Sequence, residues 1–150
     1  MKKFLMFLLI AALIIGALTG VIVVSNNQIA AGLKDQLLNW SLPEQTELLS
    51  AKSVAGKLTG AGNGMQYRGA LLVRSGLTKD ELLAHYQTFL SDDGVFLFVD
   101  SLASPEYGDL LFPSDGKQEN VYQIMLFRNI AVGTETSFWE SLLNCDLRGH

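Results

Sequence analysis

One uninterrupted apolar run near the N-terminus constrains this chain more than any other feature. Residues 4–24 (FLMFLLIAALIIGALTGVIVV) carry no charged side chain, and Lys2 and Lys3 come directly before them. A helix rises about 1.5 Å per residue, so this run spans roughly 31 Å, close to the ~30 Å hydrocarbon core of a bilayer. The run therefore predicts a transmembrane helix over residues 4–24, preceded by a short N-terminal segment, residues 1–3.

A cleavable signal peptide is the alternative interpretation of the same run. A signal peptide has an apolar region of about 7–15 residues that ends at a small-x-small site. Here the run is longer, and the nearest acceptable site, Val23-Val24-Ser25, lies at its very end, so an anchor is favoured. By the positive-inside rule, the two lysines predict a cytoplasmic N-terminus. The chain is then a single-pass protein of the cell membrane with an extracytoplasmic C-terminal domain, and the lipid bilayer is its first partner.

Small residues recur within the predicted span. Ala12, Gly16 and Gly20 are four residues apart and share one helix face, an arrangement that lets two membrane helices approach closely. Glycine is also frequent in membrane helices that do not associate. A weak homodimer through these three residues is therefore one hypothesis, and a face that contacts only lipid is the other.

The composition of the remaining residues limits their partners. Residues 25–150 suffice for one compact domain. Without Lys2 and Lys3, 11 − 2 = 9 Lys and Arg stand against 15 Asp and Glu, a net charge of −6. An acidic domain disfavours nucleic acid as a partner. The single cysteine, Cys145, excludes an intrachain disulfide, so packing alone must stabilise the fold.

Hydrophobic periodicity predicts the order β-β-α-β-(β)-β after the span. Residues 25–45 are interpreted as a juxtamembrane helix and linker, which ends near Pro43. Residues 46–150 are interpreted as the extracytoplasmic α+β domain. Its strands are predicted at residues 46–58 with a break near Lys52, 65–74, 95–99 as a well-buried strand, 110–112 as an edge strand, and 121–127.

The main helix of this domain has the strongest local signal. Thr78 and Glu81 form a capping box, which predicts a helix that begins at Lys79 and stops at Asp93-Gly94. One helix covering one face of a small antiparallel sheet satisfies this order of elements, so the fold class is α+β. Since the strands and this helix then close the core, a fragment that begins after residue 40 is expected to fold alone.

The C-terminal end is predicted with less regular structure. Residues 137–144 are interpreted as a short helix that buries Phe138, Trp139 and Leu142. Cys145 is interpreted as a small, buried or half-buried residue. Residues 146–150 (DLRGH) are interpreted as a polar tail.

The glycines of the first hairpin admit two interpretations. The segment 60–64 (GAGNG) is rich in glycine like a phosphate-binding loop, but it lacks the Gly-Lys-Ser/Thr sequence and precedes a strand instead of a helix. A turn at Asn63-Gly64 is favoured, because both residues tolerate positive φ. Gly69, in the second strand, marks either a bulge or a close approach of another backbone. Met65, Tyr67, Leu71 and Val73 share the packed face of that strand, while Gln66, Arg68 and Arg74 share a partly wet face.

Few side chains in the sequence are suited to catalysis or metal binding, and no catalytic, cofactor-binding or metal-binding residue is assigned. His85 lies at the edge of the apolar stripe of the main helix, where a solvated side chain is favoured over a catalytic one. A zinc site built from Cys145, Asp146 and His150 would need a fourth ligand from elsewhere and is disfavoured. Arg68 and Arg74, with Arg128 if its strand lies alongside, are the candidate surface-binding residues, although a solvated face is the favoured explanation.

A resemblance supports the location but adds no activity. Residues 43–87 (PEQTELLSAKSVAGKLTGAGNGMQYRGALLVRSGLTKDELLAHYQ) and the closing DLRGH resemble those of small single-pass bacterial membrane proteins that have an exported α+β domain and no assigned function. The resemblance implies a place in the cell envelope. It transfers no catalytic motif, no cofactor and no ligand.

The sequence supports two classes of function, and a third is a less favoured hypothesis. The preferred one is a non-catalytic binding module of the cell envelope, which contacts another envelope protein or a cell-wall component. The alternative is a small cell-envelope hydrolase, which would need His85 or paired carboxylates in a deep pocket. The third is a subunit that acts through association of its membrane helix.

Overall fold

In the computed structural model, which describes residues 2–58, 64–91, 94–106, 110–114, 118–130, 137–146 and 148, seven elements follow one another along the chain. They are α1 (Lys2–Asn39), β1 (Thr46–Gly56), β2 (Met65–Ser75), α2 (Lys79–Gln87), β3 (Phe96–Ser101), β4 (Val121–Ile130) and α3 (Phe138–Leu143). Within these residues the strands form one antiparallel sheet in the order β1-β2-β4-β3. The predicted α+β fold with an N-terminal apolar helix is confirmed.

α1 is one continuous helix of 38 residues with two different surroundings. Its apolar N-terminal part is exposed along its length, and the helix is long and apolar enough to cross a membrane. Its C-terminal part instead packs on the sheet, with Asn26, Ala30, Leu33 and Leu37 buried. These residues recur at intervals of three and four, so they share the helix face that lies against the strands.

The main core depends on this C-terminal part of α1. Ala30, Leu33 and Leu37 belong to the same buried cluster as the inward side chains of β2 and β4. The expectation that the strands and the Thr78 helix close the core by themselves is therefore wrong. The sequence does not predict this because the same periodicity is typical of a helix lying at the membrane surface.

Gly69 is the point at which α1 contacts the sheet most closely. A Cβ atom on Gly69 would lie 2.2 Å from the backbone nitrogen of Lys34 and 2.5 Å from the carbonyl carbon of Leu33. β2 pairs without a shift in register at Gly69, opposite Leu126. Of the two interpretations of this glycine, the close approach of another backbone is confirmed.

The first hairpin pairs as predicted, with a bulge in a different place. β1 and β2 are antiparallel, with Thr46 opposite Ser75 and Gly56 opposite Gln66. The irregularity in β1 lies between Leu48 and Ser50, and not near Lys52. The predicted turn at Asn63-Gly64 falls at the border of the described residues, because residue 63 lies outside them.

α2 begins as predicted and ends earlier. The Thr78 side chain accepts a hydrogen bond from the backbone of Glu81, whose own side chain accepts one from the backbone of Thr78, so the capping box is confirmed. The helix ends at Gln87, because the Thr88 hydroxyl donates to the carbonyl of His85 at 2.7 Å and so satisfies a terminal carbonyl. Of the predicted stop at Asp93-Gly94, residue 93 lies outside the described part of the chain.

The second face of the sheet is covered by the chain that connects β3 and β4. Leu102 and Phe112 pack with Ala70 and Met125 in a second buried cluster. The predicted edge strand at residues 110–112 does not form, because the backbone of Leu111 donates to the side chain of Gln123 at 2.7 Å instead of to a strand. The face predicted to be partly wet is thus largely buried.

β3 lies at an edge of the sheet, although its sequence predicts a well-buried strand. Val99 is buried, but Phe96 is 56% exposed. The edge position follows from the strand order, in which β4 separates β3 from β2. A dense run of apolar residues does not distinguish an edge strand from a central one.

α3 forms where it was predicted, but its aromatic residues point outward. Phe138 is 79% exposed and Trp139 is 46% exposed, whereas Leu143 is buried. Cys145, predicted to be buried or half-buried, is exposed. The predictions for Phe138, Trp139 and Cys145 are wrong because α3 contacts the core through Leu143, and the Asn144 side chain bonds to β2.

Candidate functional site at the far end of the sheet

An open cleft of about 550 Å³ lies where β1 begins and β2 ends. The chain enters β1 directly after the C-terminal end of α1. The cleft is therefore at the end of the sheet opposite to the exposed apolar part of α1. It is lined by Gln45, Thr46, Glu47, Arg74, Ser75, Gly76, Glu119 and Asn120.

Hydrogen bonds hold the three segments that form the cleft. The hydroxyls of Thr46 and Ser75 lie 2.7 Å apart and share a hydrogen bond. The backbone N–H of Ser75 donates to the carbonyl of Asn120 at 2.9 Å, and that of Gly76 donates to the carbonyl of Gln45 at 3.0 Å. The walls of the cleft are thus fixed by backbone contacts and do not depend on long surface side chains.

Two residues of the cleft have a strained backbone. Gln45 has φ 61° and Asn120 has φ 58°, and they are the only residues other than glycine with positive φ in the described part of the chain. Asparagine tolerates this region better than glutamine does. Such conformations persist where the surrounding structure fixes them, and they are concentrated at binding sites. This strain singles out the cleft as the candidate functional site.

Charges of both signs line the cleft. The Arg74 Nη1 atom lies 3.0 Å from Oε2 of Glu47, and both side chains are more than half exposed. An exposed pair of this kind adds little stability, about 0–1 kcal/mol, so Arg74 can exchange Glu47 for another acidic group at little cost. Glu119 lies exposed in the same cleft.

Of the three arginines considered for surface binding, Arg74 is the one that lines the cleft. Arg68 shares the face of Arg74, but it is only 5% exposed, with its guanidinium 5.7 Å from the ring centre of Phe127. Arg128 is opposite Tyr67 in the register and so lies on the other face of the sheet. Arg68 is therefore not available to a surface ligand, and the three arginines do not form one patch.

His85 lies outside the cleft. Its Nε2 atom is 2.8 Å from the carbonyl oxygen of Ser41, and its ring meets those of Tyr86 and Phe89 edge-on. It therefore fastens α2 to the segment between α1 and β1. No group of three or more metal-binding side chains occurs among the described residues, and His150 of the considered zinc site lies outside them.

The predicted helix contact in the span remains open. Ala12, Gly16 and Gly20 lie on the exposed part of α1. A Cβ atom on Gly16 or Gly20 would meet nothing within 4 Å. The small-residue face is thus uncovered in the single chain, and the weak homodimer stays a prediction.

A polar network that lies away from the cleft fastens the C-terminal segment to α1. Asn26 donates from Nδ2 to the Asp146 carboxylate at 2.9 Å and accepts from the Tyr67 hydroxyl at 2.8 Å. Arg148 donates from Nε and Nη2 to the two carboxylate oxygens of Asp146, at 3.0 and 2.6 Å, and from Nη1 to Asn27 at 2.8 Å. Asp146 and Arg148 therefore do not form a polar tail, and every described member of the network is paired.

Acid should weaken the fold through Asp146. Burial opposes ionisation of this carboxyl, but hydrogen bonds from Arg148 and Asn26 outweigh it, so its pKa lies below the usual value. A group whose pKa is lowered in the folded state adds stability above its unfolded pKa, about 3.9, and this stability is lost as the pH falls through the folded pKa. We expect urea unfolding of the chain in detergent to show a smaller loss of stability from pH 5 to pH 3 for Asp146→Asn than for the unaltered chain. Equal losses would contradict this role.

Two buried tyrosines should respond differently to loss of their hydroxyl. Burial raises the pKa of both Tyr67 and Tyr86 to about 12. The Tyr67 hydroxyl donates to Asn26, whereas that of Tyr86 has no hydrogen-bond partner among the described residues. Tyr67→Phe should therefore cost about 1–3 kcal/mol, and Tyr86→Phe should be neutral or stabilising. Chemical unfolding of the two variants measures the difference, and a larger loss for Tyr86→Phe would refute it.

Fold and cleft together define the class of protein: an α+β domain on one helix that is long and apolar enough to cross a membrane. No family model matches the chain, and no curated protein or solved structure is significantly similar to it. The resemblance to small single-pass bacterial membrane proteins therefore stays a prediction.

Little in the sequence predicts either the cleft or the polar network around Asp146. Arg74, predicted as a surface-binding residue, lines the cleft, and Asn120, directly before β4, is of a residue type that tolerates positive φ. Gln45 offered no such clue. Asp146 and Arg148 have the composition of a solvated tail, and only the distant Asn26 and Asn27, which bond to Asp146 and Arg148 respectively, fasten them to α1.

Proposed function

We propose that this protein is a membrane-tethered, non-catalytic binding domain of the cell envelope. Residues 4–24 hold it in the membrane with the N-terminus in the cytoplasm, and the cleft binds polar groups of another envelope protein or of a cell-wall component. The observation that carries the proposal is the cleft itself, with strained Gln45 and Asn120 on its walls, at the end of the sheet farthest from the apolar part of α1.

Continuity of α1 supports retention of the span as an anchor. The helix runs without a break through Val23-Val24-Ser25, the sequence considered above as a cleavage site. Asn26, the residue after that site, is fully buried and bonded to the C-terminal segment. Cleavage there would place a charged amino terminus beside a buried network, at a considerable cost in free energy.

The direction of α1 supports a partner beyond the membrane surface. The helix continues for 15 residues from Val24 to Asn39, which is about 22 Å of rise. The cleft therefore lies well beyond the lipid head groups. Since it presents hydroxyls, amides and both signs of charge, it suits a polar ligand such as a glycan or an extended peptide.

The hydrolase hypothesis receives less support from the positions of the residues. It required His85 or paired carboxylates in a concavity, and His85 is bonded to Ser41 away from the cleft. Glu47, one of the two acidic residues of the cleft, is already paired with Arg74. We therefore prefer binding to catalysis.

The lone cysteine allows a direct test of the proposed orientation. Cys145 is exposed and is the one cysteine of the chain, so no other thiol competes for a label. A membrane-impermeant maleimide added to intact cells should label it, and a Cys145→Ser variant should remain unlabelled. In a Cys145→Ser, Lys3→Cys variant, the new thiol should react only after the cells are permeabilised. The reverse pattern would overturn the orientation.

The cleft is tested by crosslinking in cells. A photoreactive amino acid placed at Glu119, in the cleft, should capture one product of defined size, and the same amino acid at Ser53, on the exposed part of β1 away from the cleft, should not. Adding Arg74→Glu should reduce the captured product, because it reverses a charge of the cleft without touching the core. Equal capture from both positions, or no effect of Arg74→Glu, would count against the cleft as a binding site.

A further inference from the structure

α3 presents two aromatic side chains that the described part of the chain leaves exposed, Phe138 almost wholly and Trp139 by nearly half. Phe138 and Trp139 occupy its first turn and are exposed, while Leu143 at the other end is buried. The helix is nevertheless well formed, since the Ser137 hydroxyl accepts a hydrogen bond from the backbone of Glu140 at 3.2 Å. Two exposed aromatic residues next to each other on an ordered element indicate an interaction surface.

Hydrogen bonds fix α3 beside the point where the apolar part of α1 ends. The Asn26 side chain donates to the carbonyl of Leu143 at 3.1 Å, and Asn26 lies about 3 Å along the helix axis beyond Val24. The backbone of Met65, the first residue of β2, donates to the side chain of Asn144 at 2.7 Å. α3 therefore lies across the end of the sheet that faces the membrane in the proposed arrangement.

We propose that Phe138 and Trp139 insert into the head-group region of the bilayer that α1 crosses, an inference that rests on the proposed membrane tether. Tryptophan favours this region because its ring is apolar and its indole N–H is polar. Val21 and Val24, which end the apolar part of α1, are exposed, and Asn26, two residues further along, is the residue to which α3 is hydrogen-bonded.

This second contact would set the orientation of the domain. A single helix leaves a domain free to tilt and rotate, whereas a helix and a separate aromatic contact define a plane. Because Asp146 and Arg148 fasten α3 to α1, the contact is transmitted to the whole sheet. The cleft is then held at a constant height and direction above the membrane.

The two tryptophans of the chain give this proposal its test. Trp40 lies at the other end of the domain, stacked on Phe89 at 5.5 Å, so it serves as the internal control. Single-tryptophan variants, Trp40→Phe and Trp139→Phe, are reconstituted as full chains into phosphatidylcholine and phosphatidylglycerol vesicles that carry bromine at a shallow position of the acyl chains. We expect bromine to quench most of the emission of Trp139 and little of that of Trp40, and Phe138→Ser to reduce quenching of Trp139. The result does not depend on which way the chain inserts, since α3 stays beside its own leaflet.

The outcomes distinguish a failure of this proposal from a failure of the proposed membrane tether. If the protein fails to float with the vesicles, the tether is wrong and the inference fails with it. If the protein floats but Trp139 is quenched no more than Trp40, the tether stands and the inference is overturned. A far-ultraviolet circular dichroism spectrum equal to that of the unaltered chain shows that each variant is folded.

Discussion

A fragment containing residues 41–150 should fail to fold, whereas one containing residues 23–150 should unfold cooperatively. The shorter fragment lacks Ala30, Leu33 and Leu37, which are buried in the main core. Truncating one buried leucine typically costs about 2–5 kcal/mol, and a domain of this size has about 5–15 kcal/mol in total. Removing the entire covering segment exposes the inner face of β2 and so exceeds what the remaining contacts supply.

Thermal and urea unfolding of the two fragments measure this effect. Within the longer fragment, two neighbouring leucines form a matched pair, since Leu37 is 0% exposed and Leu38 is 41% exposed. Leu37→Ala should lower the free energy of unfolding by about 2–5 kcal/mol, and Leu38→Ala should change it little. A sharp melt of residues 41–150 at the temperature of the longer fragment would show that α1 is dispensable.

Local signals explain what the sequence predicted of this fold. The capping box at Thr78 and Glu81 is satisfied within four residues, and the structure confirms it. β2 and β4 are dense in strand-forming residues, and both form close to their predicted positions. These elements are set by neighbours in the chain, so their positions could be read without knowledge of the fold.

Contacts between distant residues explain what the sequence did not predict. The C-terminal part of α1 has the periodicity of a surface helix, and only its seat on Gly69 makes it part of the core. Phe138 and Trp139 were predicted to be buried because they are apolar, but burial of apolar residues is a tendency with many exceptions. Asp146 becomes a buried residue only through Asn26, 120 positions earlier. The cleft likewise depends on a meeting of three segments that have no common motif.

Gly69→Ala should strongly destabilise the fold. The added Cβ would lie 2.2 Å from the nitrogen of Lys34 and 2.7 Å from its Cα, and both are backbone atoms that no change of rotamer can move. Overfilling a core usually costs about 1–3 kcal/mol, and here the whole helix must withdraw from β2, so we expect a loss of about 3 kcal/mol or more. Withdrawal would also lengthen the bond between Tyr67 and Asn26 and so weaken the network that holds the C-terminal segment.

The same substitution at Gly32 provides the control, because it should act in the opposite direction. Gly32 lies in the same helix, two residues from Lys34, and a Cβ there would meet nothing within 4 Å. Alanine stabilises an exposed helical position relative to glycine by about 0.5–1 kcal/mol. Urea unfolding of residues 23–150 should therefore give a lower midpoint for Gly69→Ala and a higher one for Gly32→Ala. If Gly69→Ala unfolds at the midpoint of the unaltered fragment, α1 is not seated on β2 as described, and both the shared core and the fixed height of the cleft lose their basis.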